Sequence, residues 1–196
     1  IIYTKYGSPD VLRLEEVEKP VPKDDEVLVS VQATALNAAD WRLMSAKPFL
    51  VRMMNGLFKP KIKILGADIS GRVEAVGKNV KRFQPGDDVF GDISDCGWGG
   101  LAEYVSTCED ALAHKPGNLS FQEAAAVPFS AVAALQGLRD HGGIREGQKV
   151  LINGATGGVG TFAVQIAKSF GTEVTGVCST AKMDTVRSLG ADHVID

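Results

Sequence analysis

The clearest hydrophobic pattern in the chain lies between residues 149 and 179. An apolar run at residues 150–152 is typical of a buried strand, and a glycine-rich turn at residues 154–160 follows it. Beyond the turn, apolar residues recur at the spacing of one helical face. These residues are Val159, Phe162, Ala163, Ile166, Ala167 and Phe170. Gly171 ends this predicted helix, and residues 173–178, rich in β-branched side chains, predict a second strand. The order predicts a βαβ unit of the kind that binds dinucleotides.

The glycine-rich turn has the composition that a diphosphate-binding loop needs. Glycine permits a tight turn, and main-chain N–H groups can touch a pyrophosphate only where no Cβ intrudes. The helix that follows points its positive N-terminal end at the bound anion. The pattern is A-x-G-x-x-G, with Ala155 at the position of the usual first glycine. The predicted cofactor-binding residues of this turn are Ala155, Thr156, Gly157, Gly158, Val159 and Gly160.

The end of the second strand indicates which dinucleotide is bound. NAD-binding units usually place Asp or Glu there, on the ribose 2′-hydroxyl, but this chain has Cys178, Ser179, Thr180 and Lys182. A carboxylate would repel a 2′-phosphate by about 4 kcal/mol per charge pair at about 4 Å and an effective ε near 20. The lack of a carboxylate among these four residues therefore predicts NADP(H), with all four as cofactor-binding residues. The alternative for Lys182 is a solvated lysine at a helix start.

Residues 1–119 are predicted to form a β-rich domain. Val27, Val29 and Val31 alternate with other residues, as in a strand with one better-buried face, and Gly and Pro divide the region into short segments. Such short strands are typical of a small barrel-like β domain. The apolar segment 42–58 is predicted to be a helix or a mobile flap, with its methionines packed in the core.

The pattern changes at about residue 119. Ser120 to Glu123 is a capping box, and the Ala-rich tract that follows contains Pro128, which predicts two short helices rather than one. After the second βαβ strand, residues 183–189 predict another helix and residues 193–196 a third strand. A doubly wound domain needs two such halves. We therefore expect a fragment, with residues 120–196 as the N-terminal part of a nucleotide-binding domain.

Composition excludes several classes of function. The chain of 196 residues is 44% hydrophobic, enough for one or two cores, and its net charge of −3 gives no electrostatic case for nucleic acid or an anionic membrane. No apolar run approaches the roughly 20 residues of a membrane span, and no secretory segment is visible. Three cysteines, Cys96, Cys108 and Cys178, share no ligand spacing. Their odd number favours a reducing compartment over a disulfide framework, and a cytoplasmic location is predicted. Because the first residue is Ile1, a targeting peptide ahead of it stays an open alternative.

Short sequence motifs occur in order along nearly the whole chain, at residues 6–12, 36–40, 66–73, 76–77, 85–89, 100–104 and 124–128, and in the glycine-rich turn. With these motifs the chain resembles the zinc-independent quinone oxidoreductase branch of the medium-chain dehydrogenase/reductase superfamily. The resemblance implies an α/β plus β fold, in which a GroES-like β-barrel domain is joined to a truncated Rossmann domain with a doubly wound parallel sheet. It places the active site in the cleft between the two domains. It also implies a homodimer for the full-length parent.

The resemblance further implies hydride transfer from NADPH to a small-molecule quinone or to the β-carbon of an α,β-unsaturated carbonyl (an enone). Alcohol dehydrogenases of the superfamily bind catalytic zinc through a Cys and a His where this chain has Asn37 and Ala67, so no metal is expected. Asn37 is the predicted donor to the developing substrate oxygen. Asp40 is predicted to orient Asn37 or to join a proton relay, and its alternative is a structural turn carboxylate. Ala133 stands where the family often has Thr near the nicotinamide.

Two other functions compete with this hypothesis. A protein of the same fold could bind NADPH and act as a sensor or structural partner with little catalysis, since fold does not prove function. A zinc alcohol dehydrogenase is disfavoured by the missing ligands. Turnover of a quinone that depends on Asn37 separates the reductase from the sensor.

Overall fold

An antiparallel sheet of five strands organises the first part of the chain in the computed structural model, which describes residues 1–196. Its strands, in spatial order β4-β1-β2-β3-β5, are β1 (Glu26–Ala35), β2 (Asp68–Val76), β3 (Asp88–Asp92), β4 (Tyr104–Cys108) and β5 (Ala113–His114). Val27 and Val29 of β1 are fully buried and pack with Ile69 and Val73 of β2. The predicted strand with a buried face is therefore confirmed.

Two short helices, α1 (Ala38–Ser45) and α2 (Leu50–Asn55), follow β1 in the segment that was predicted to be a helix or a flap. Met44 of α1 is buried beside Tyr3 and Leu65, as expected for a core methionine. Met53 and Met54 of α2 are 69% and 78% exposed. The prediction that the methionines of this segment pack in the core is therefore wrong for these two, because α2 has only six residues and buries Asn55 instead.

The predicted break at Pro128 is confirmed. Helix α3 (Phe121–Ala125) begins with the Ser120–Glu123 capping box, and α4 (Pro128–Leu135) begins at the proline itself. A π-helical segment, Gln136–His141, continues α4. Proline suits the first position of a helix because its missing N–H would have no partner there.

The last part of the chain is the predicted βαβ unit with one further helix and strand. Three parallel strands in the order β6-β7-β8 are β6 (Lys149–Asn153), β7 (Glu173–Val177) and β8 (His193–Ile195). Helices α5 (Gly158–Ser169) and α6 (Met183–Ser188) connect them. Ala163, Val164 and Ala167 of α5 form a core with Val174 of β7. Gly171 ends the α5 region with a positive φ of 73°, as the pattern predicted.

The chain divides into two compact units, Ile1–Phe129 and Ser130–Asp196. The predicted boundary lies earlier, at residue 119. Helix α3 packs on β1 and β2 and so lies within the first unit.

One disulfide joins Cys96 to Cys108 within the first unit, with the two Cα atoms 5.9 Å apart. The expectation that the cysteines form no disulfide is therefore wrong for this pair. Cys96 lies in a short 3₁₀ turn after β3 and Cys108 ends β4, and only the sheet brings these two places together. Cys178 is free and buried. None of the helices combines the length and the apolar character that a membrane crossing requires.

Candidate functional site

The glycine-rich turn of the second unit brings main-chain N–H groups to the start of α5. Gly154 has a φ of 74°, which favours glycine, and its N–H and that of Ala155 both donate to the carbonyl of Val177. A Cβ on Gly160 would lie 2.1 Å from the carbonyl oxygen of Gly154. Only glycine therefore allows α5 to approach the end of β6 this closely, which is the packing role of the last glycine in a dinucleotide-binding turn.

The main-chain N–H groups of Thr156, Gly158, Val159 and Gly160 have no hydrogen-bond partner within the protein. Gly157 and Gly158 are exposed, so this end of the twelve-residue helix α5 is open to a ligand. Unpaired N–H groups at the positive end of a helix dipole form an anion site. The turn therefore fits the diphosphate of a dinucleotide. Ala155 supports the turn through its buried methyl group and through the hydrogen bond from its N–H to Val177.

The residues after β7 divide into two groups. Cys178 is buried in the core of the second unit, so its side chain does not face solvent. Ser179, Thr180 and Lys182 are exposed and could reach a ligand. The carboxylate of Asp196 accepts the main-chain N–H of Thr180 at 3.0 Å and its hydroxyl. Asp196 was not identified from the sequence, because it lies one strand further along the chain and only the pairing of β7 with β8 brings it here.

In the first unit, Asn37 occupies the N-cap position of α1, directly after β1. Its main-chain N–H donates to Oδ2 of Asp40 at 2.7 Å, and the other oxygen of Asp40 accepts the N–H of Gly66 at 2.8 Å. Asp40 is 4% exposed, and burial raises the pKa of its carboxyl. Both oxygens of Asp40 are thus occupied by main-chain donors. This geometry supports a carboxylate that holds the backbone at Asn37 in place.

The side chain of Asn37 is held by a residue that the sequence did not single out as functional. Its Nδ2 atom donates to Oδ2 of Asp68, the first residue of β2, at 3.0 Å. The second oxygen of Asp68 accepts the main-chain N–H of Phe129 at 2.8 Å. Asp68 is 1% exposed, so this carboxylate lies entirely inside the first unit.

Burial raises the pKa of Asp68 to about 6, and the nearby carboxylates of Asp92 and Asp40 add to the rise. The hydrogen bonds from Asn37 and Phe129 oppose it, because they stabilise the charged form. A sequence signal for Asp68 did exist, since this carboxylate stands beside the apolar residues Ala67 and Ile69. A carboxylate inside an apolar strand must find partners.

No group of three or more His, Cys, Asp or Glu side chains is placed to hold a metal ion. Asn37 and Ala67, at the positions that carry zinc ligands in alcohol dehydrogenases, offer neither thiolate nor imidazole. Zinc independence stays a prediction for the whole protein.

Comparison with known proteins places the chain in a family. The model of the alcohol dehydrogenase GroES-like domain matches residues 23–134, and that of the zinc-binding dehydrogenase matches residues 158–196. A 2-methylene-furan-3-one reductase from Solanum lycopersicum is 40% identical over 203 residues, which cover 99% of this chain and 50% of that protein. A chloroplastic quinone-oxidoreductase, QR1, from Triphysaria versicolor is 38% identical, with 99% and 59% coverage. The chain thus spans between half and three fifths of these relatives.

Solved structures agree with this placement. A quinone oxidoreductase from Coxiella burnetii matches with a TM-score of 0.88 and 32% identity, over 100% of this chain and 61% of that one. The Escherichia coli quinone oxidoreductase complexed with NADPH matches with a TM-score of 0.85 and 27% identity, over 100% and 57%. The fold is the expected GroES-like domain with a Rossmann-like domain. The chain belongs to the quinone oxidoreductase branch of the medium-chain dehydrogenase/reductase superfamily.

Proposed function

We propose that the whole protein is an NADPH-dependent reductase that transfers hydride, without zinc, to a quinone or to the β-carbon of an α,β-unsaturated carbonyl. The observation that carries this proposal is the open N-terminal end of α5, where four main-chain N–H groups lack partners and Gly160 leaves no Cβ in the way. The names of the relatives, a furanone reductase and quinone oxidoreductases, support the class of acceptor. The E. coli structure with NADPH supports the cofactor.

The cofactor supplies the hydride, so the protein's task is to bind, orient and stabilise charge. Reduction of an enone places negative charge on its carbonyl oxygen as the β-carbon gains the hydride. Asn37 has one side-chain N–H that is not used by Asp68, and we propose that it donates to this oxygen. Asp40 fixes the backbone at Asn37 through its two main-chain hydrogen bonds. Solvent then supplies the proton that completes the product.

For the 2′-phosphate we propose Ser179, Thr180 and Lys182, which are exposed after β7. Lys182 forms no ion pair in the structure, so its ammonium is available for a phosphate. Asp196 opposes this assignment, since its carboxylate lies against Thr180. The ammonium of Lys182 must therefore attract the 2′-phosphate more strongly than the carboxylate of Asp196 repels it. This balance makes cofactor choice directly testable.

We expect Lys182→Ala to weaken NADPH binding by about tenfold to a hundredfold, the usual worth of a charge-assisted hydrogen bond, and to leave NADH binding unchanged. Isothermal titration calorimetry on the 196-residue chain with each cofactor makes the measurement. Asp196→Asn is the matched control, because it removes the opposing charge and is expected to tighten NADPH binding alone. Equal losses for the two cofactors in Lys182→Ala would show that this lysine does not read the 2′-phosphate.

Catalysis is tested by NADPH oxidation in the whole protein with a panel of small quinones and enones. We expect Asn37→Ala to lower kcat by about a hundredfold or more with little change in the KM for NADPH, because a donor to a developing oxyanion acts mainly in the transition state. Binding of NADPH without turnover of any acceptor by the wild-type protein would favour the sensor or structural role instead.

A further inference from the structure

The side-chain amide of Asn37 has two ends, and the structure fixes which end faces inward. An ionised carboxylate can only accept hydrogen bonds, so Oδ2 of Asp68 requires the Nδ2 end of the amide and repels the Oδ1 end. One N–H of Asn37 is thereby used by Asp68. The other N–H and Oδ1 are left for a ligand.

Asp68 is itself firmly held. The register of the sheet pairs it with Ala35 at the end of β1, and the hydroxyl of Thr34 donates to its main-chain carbonyl at 2.7 Å. Its second carboxylate oxygen accepts the N–H of Phe129. The carboxylate therefore presents one oxygen to Asn37 in a fixed direction, which a flexible surface acid could not do.

We propose that Asp68 is a positioning residue for Asn37, and that its ionised carboxylate sets the amide so that one N–H is aimed at the acceptor's oxygen. This proposal rests on the proposed function of Asn37 as a donor. It assigns Asp68 no contact with substrate or cofactor.

Protonation of Asp68 would reverse the arrangement, because the new O–H could donate to Oδ1 of Asn37 and turn the amide around. The charged groups that face Asp68 are the carboxylates of Asp40, from α1, and Asp92, its neighbour on β3. No cation offsets them. Burial with these neighbours raises the pKa of Asp68 to about 6, so the arrangement with the aimed N–H is populated above this pH and lost below it.

The first test is structural and needs no turnover. The side-chain NH₂ resonances of Asn37, identified by their loss in Asn37→Ala, are followed by NMR in the 196-residue chain from about pH 4.5 to about pH 7.5. We expect them to move with a midpoint near pH 6 in the wild type and to stay still in Asp68→Asn. Asp92→Asn keeps an oxygen for the N–H of Ser94 while removing one facing charge, so the midpoint is expected to fall. Asn37 resonances that are the same in the wild type and in Asp68→Asn at about pH 7.5 would overturn the proposal, because the carboxylate would then not set the amide, and Asp68→Ser serves for this comparison should Asp68→Asn fail to fold.

The second test is kinetic, in the whole protein. In the wild type we expect activity to fall below about pH 6, and we expect Asp68→Asn to abolish this pH dependence and to lower kcat by about tenfold to a hundredfold with an unchanged KM for NADPH. A purely structural Asp68 would lower stability without changing the pH profile, and that result would contradict the positioning role. If the amide titrates but no acceptor is turned over, the positioning holds and the proposed reductase fails. If Asn37→Ala abolishes turnover while Asp68→Asn matches the wild type at every pH, the positioning proposal fails and the reductase stands.

Discussion

At the scale of single residues, Asp68 shows how a carboxylate can serve a site at a cost in stability. Its pKa is raised to about 6 by burial, so the folded state binds the proton more tightly than the unfolded chain does. Its contribution to stability is therefore fully present below about pH 4 and is lost as the pH rises through about 6. A rise in the pKa of Asp68 from about 4 to about 6 corresponds to roughly 3 kcal/mol.

We accordingly expect Asp68 to lower the free energy of unfolding by up to about 3 kcal/mol between about pH 4 and pH 7. Urea denaturation of the wild type and of Asp68→Asn across this range measures the effect, which appears as the difference between the two pH dependences. Identical pH dependences would show that Asp68 does not titrate within the range. Only the difference between the two pH dependences is informative, because partly buried carboxylates such as Glu26, whose pKa is lowered by hydrogen bonds from Lys23 and Ser106, act in the opposite direction.

Of the hydrogen-bonded pair Asn37 and Asp68, the sequence predicted a functional role for Asn37 alone. Asn37 was identified because its position matches a family pattern, whereas Asp68 acts only through the pairing of β2 with β1. A register between strands that lie more than thirty residues apart in the chain cannot be read from local periodicity. Asp196 was missed for the same reason, since its approach to Thr180 depends on the pairing of β8 with β7.

At the scale of elements, local sequence patterns predicted the strands and helices best where the contacts between them are local. The strands and helices from β6 to β8 lie where the apolar spacing and the glycines predicted them, because each helix returns the chain to the neighbouring strand. The exposed methionines of α2 were predicted wrongly because a short apolar segment shows no clear period. Its neighbour α1 buries Met44 with the same kind of sequence.

Gly160 provides the sharpest test at this scale. A Cβ added to it would lie 2.1 Å from the carbonyl oxygen of Gly154, an overlap that only a shift of α5 away from β6 relieves. We expect Gly160→Ala to destabilise the second unit by about 2 kcal/mol or more and to abolish NADPH binding. Thermal unfolding followed by circular dichroism, together with calorimetry, makes the measurement.

Gly137 is the matched control in the same unit. It lies in the π-helical segment, has open space where a Cβ would point, and does not require a positive φ. Gly137→Ala is expected to leave both stability and NADPH binding close to wild type or to raise stability slightly. If both alanine variants behaved alike, the close approach of α5 to the turn would not be the reason for glycine at position 160.

At the scale of the whole molecule, the disulfide belongs to one of the two compact units. Cys96 and Cys108 enclose a short loop within the first unit, and constraint of such a loop in the unfolded chain is worth about 3 kcal/mol in the chain-entropy account. The only cysteine of the second unit is Cys178, which is unpaired. Reduction is therefore expected to act on the stability of the first unit alone.

The two tryptophans make this difference measurable, because Trp41 and Trp98 both lie in the first unit. We expect dithiothreitol to move the tryptophan-fluorescence transition in urea to lower concentration, by an amount equivalent to about 3 kcal/mol. The part of the circular-dichroism signal that comes from the second unit is expected to unfold at an unchanged concentration. The fluorescence transition of Cys108→Ser should coincide with that of the reduced wild type and should not change with dithiothreitol. The transition of Cys178→Ala should shift with dithiothreitol as much as that of the wild type. A fluorescence transition that is insensitive to reductant in the wild type would mean that the Cys96–Cys108 bond does not stabilise this unit.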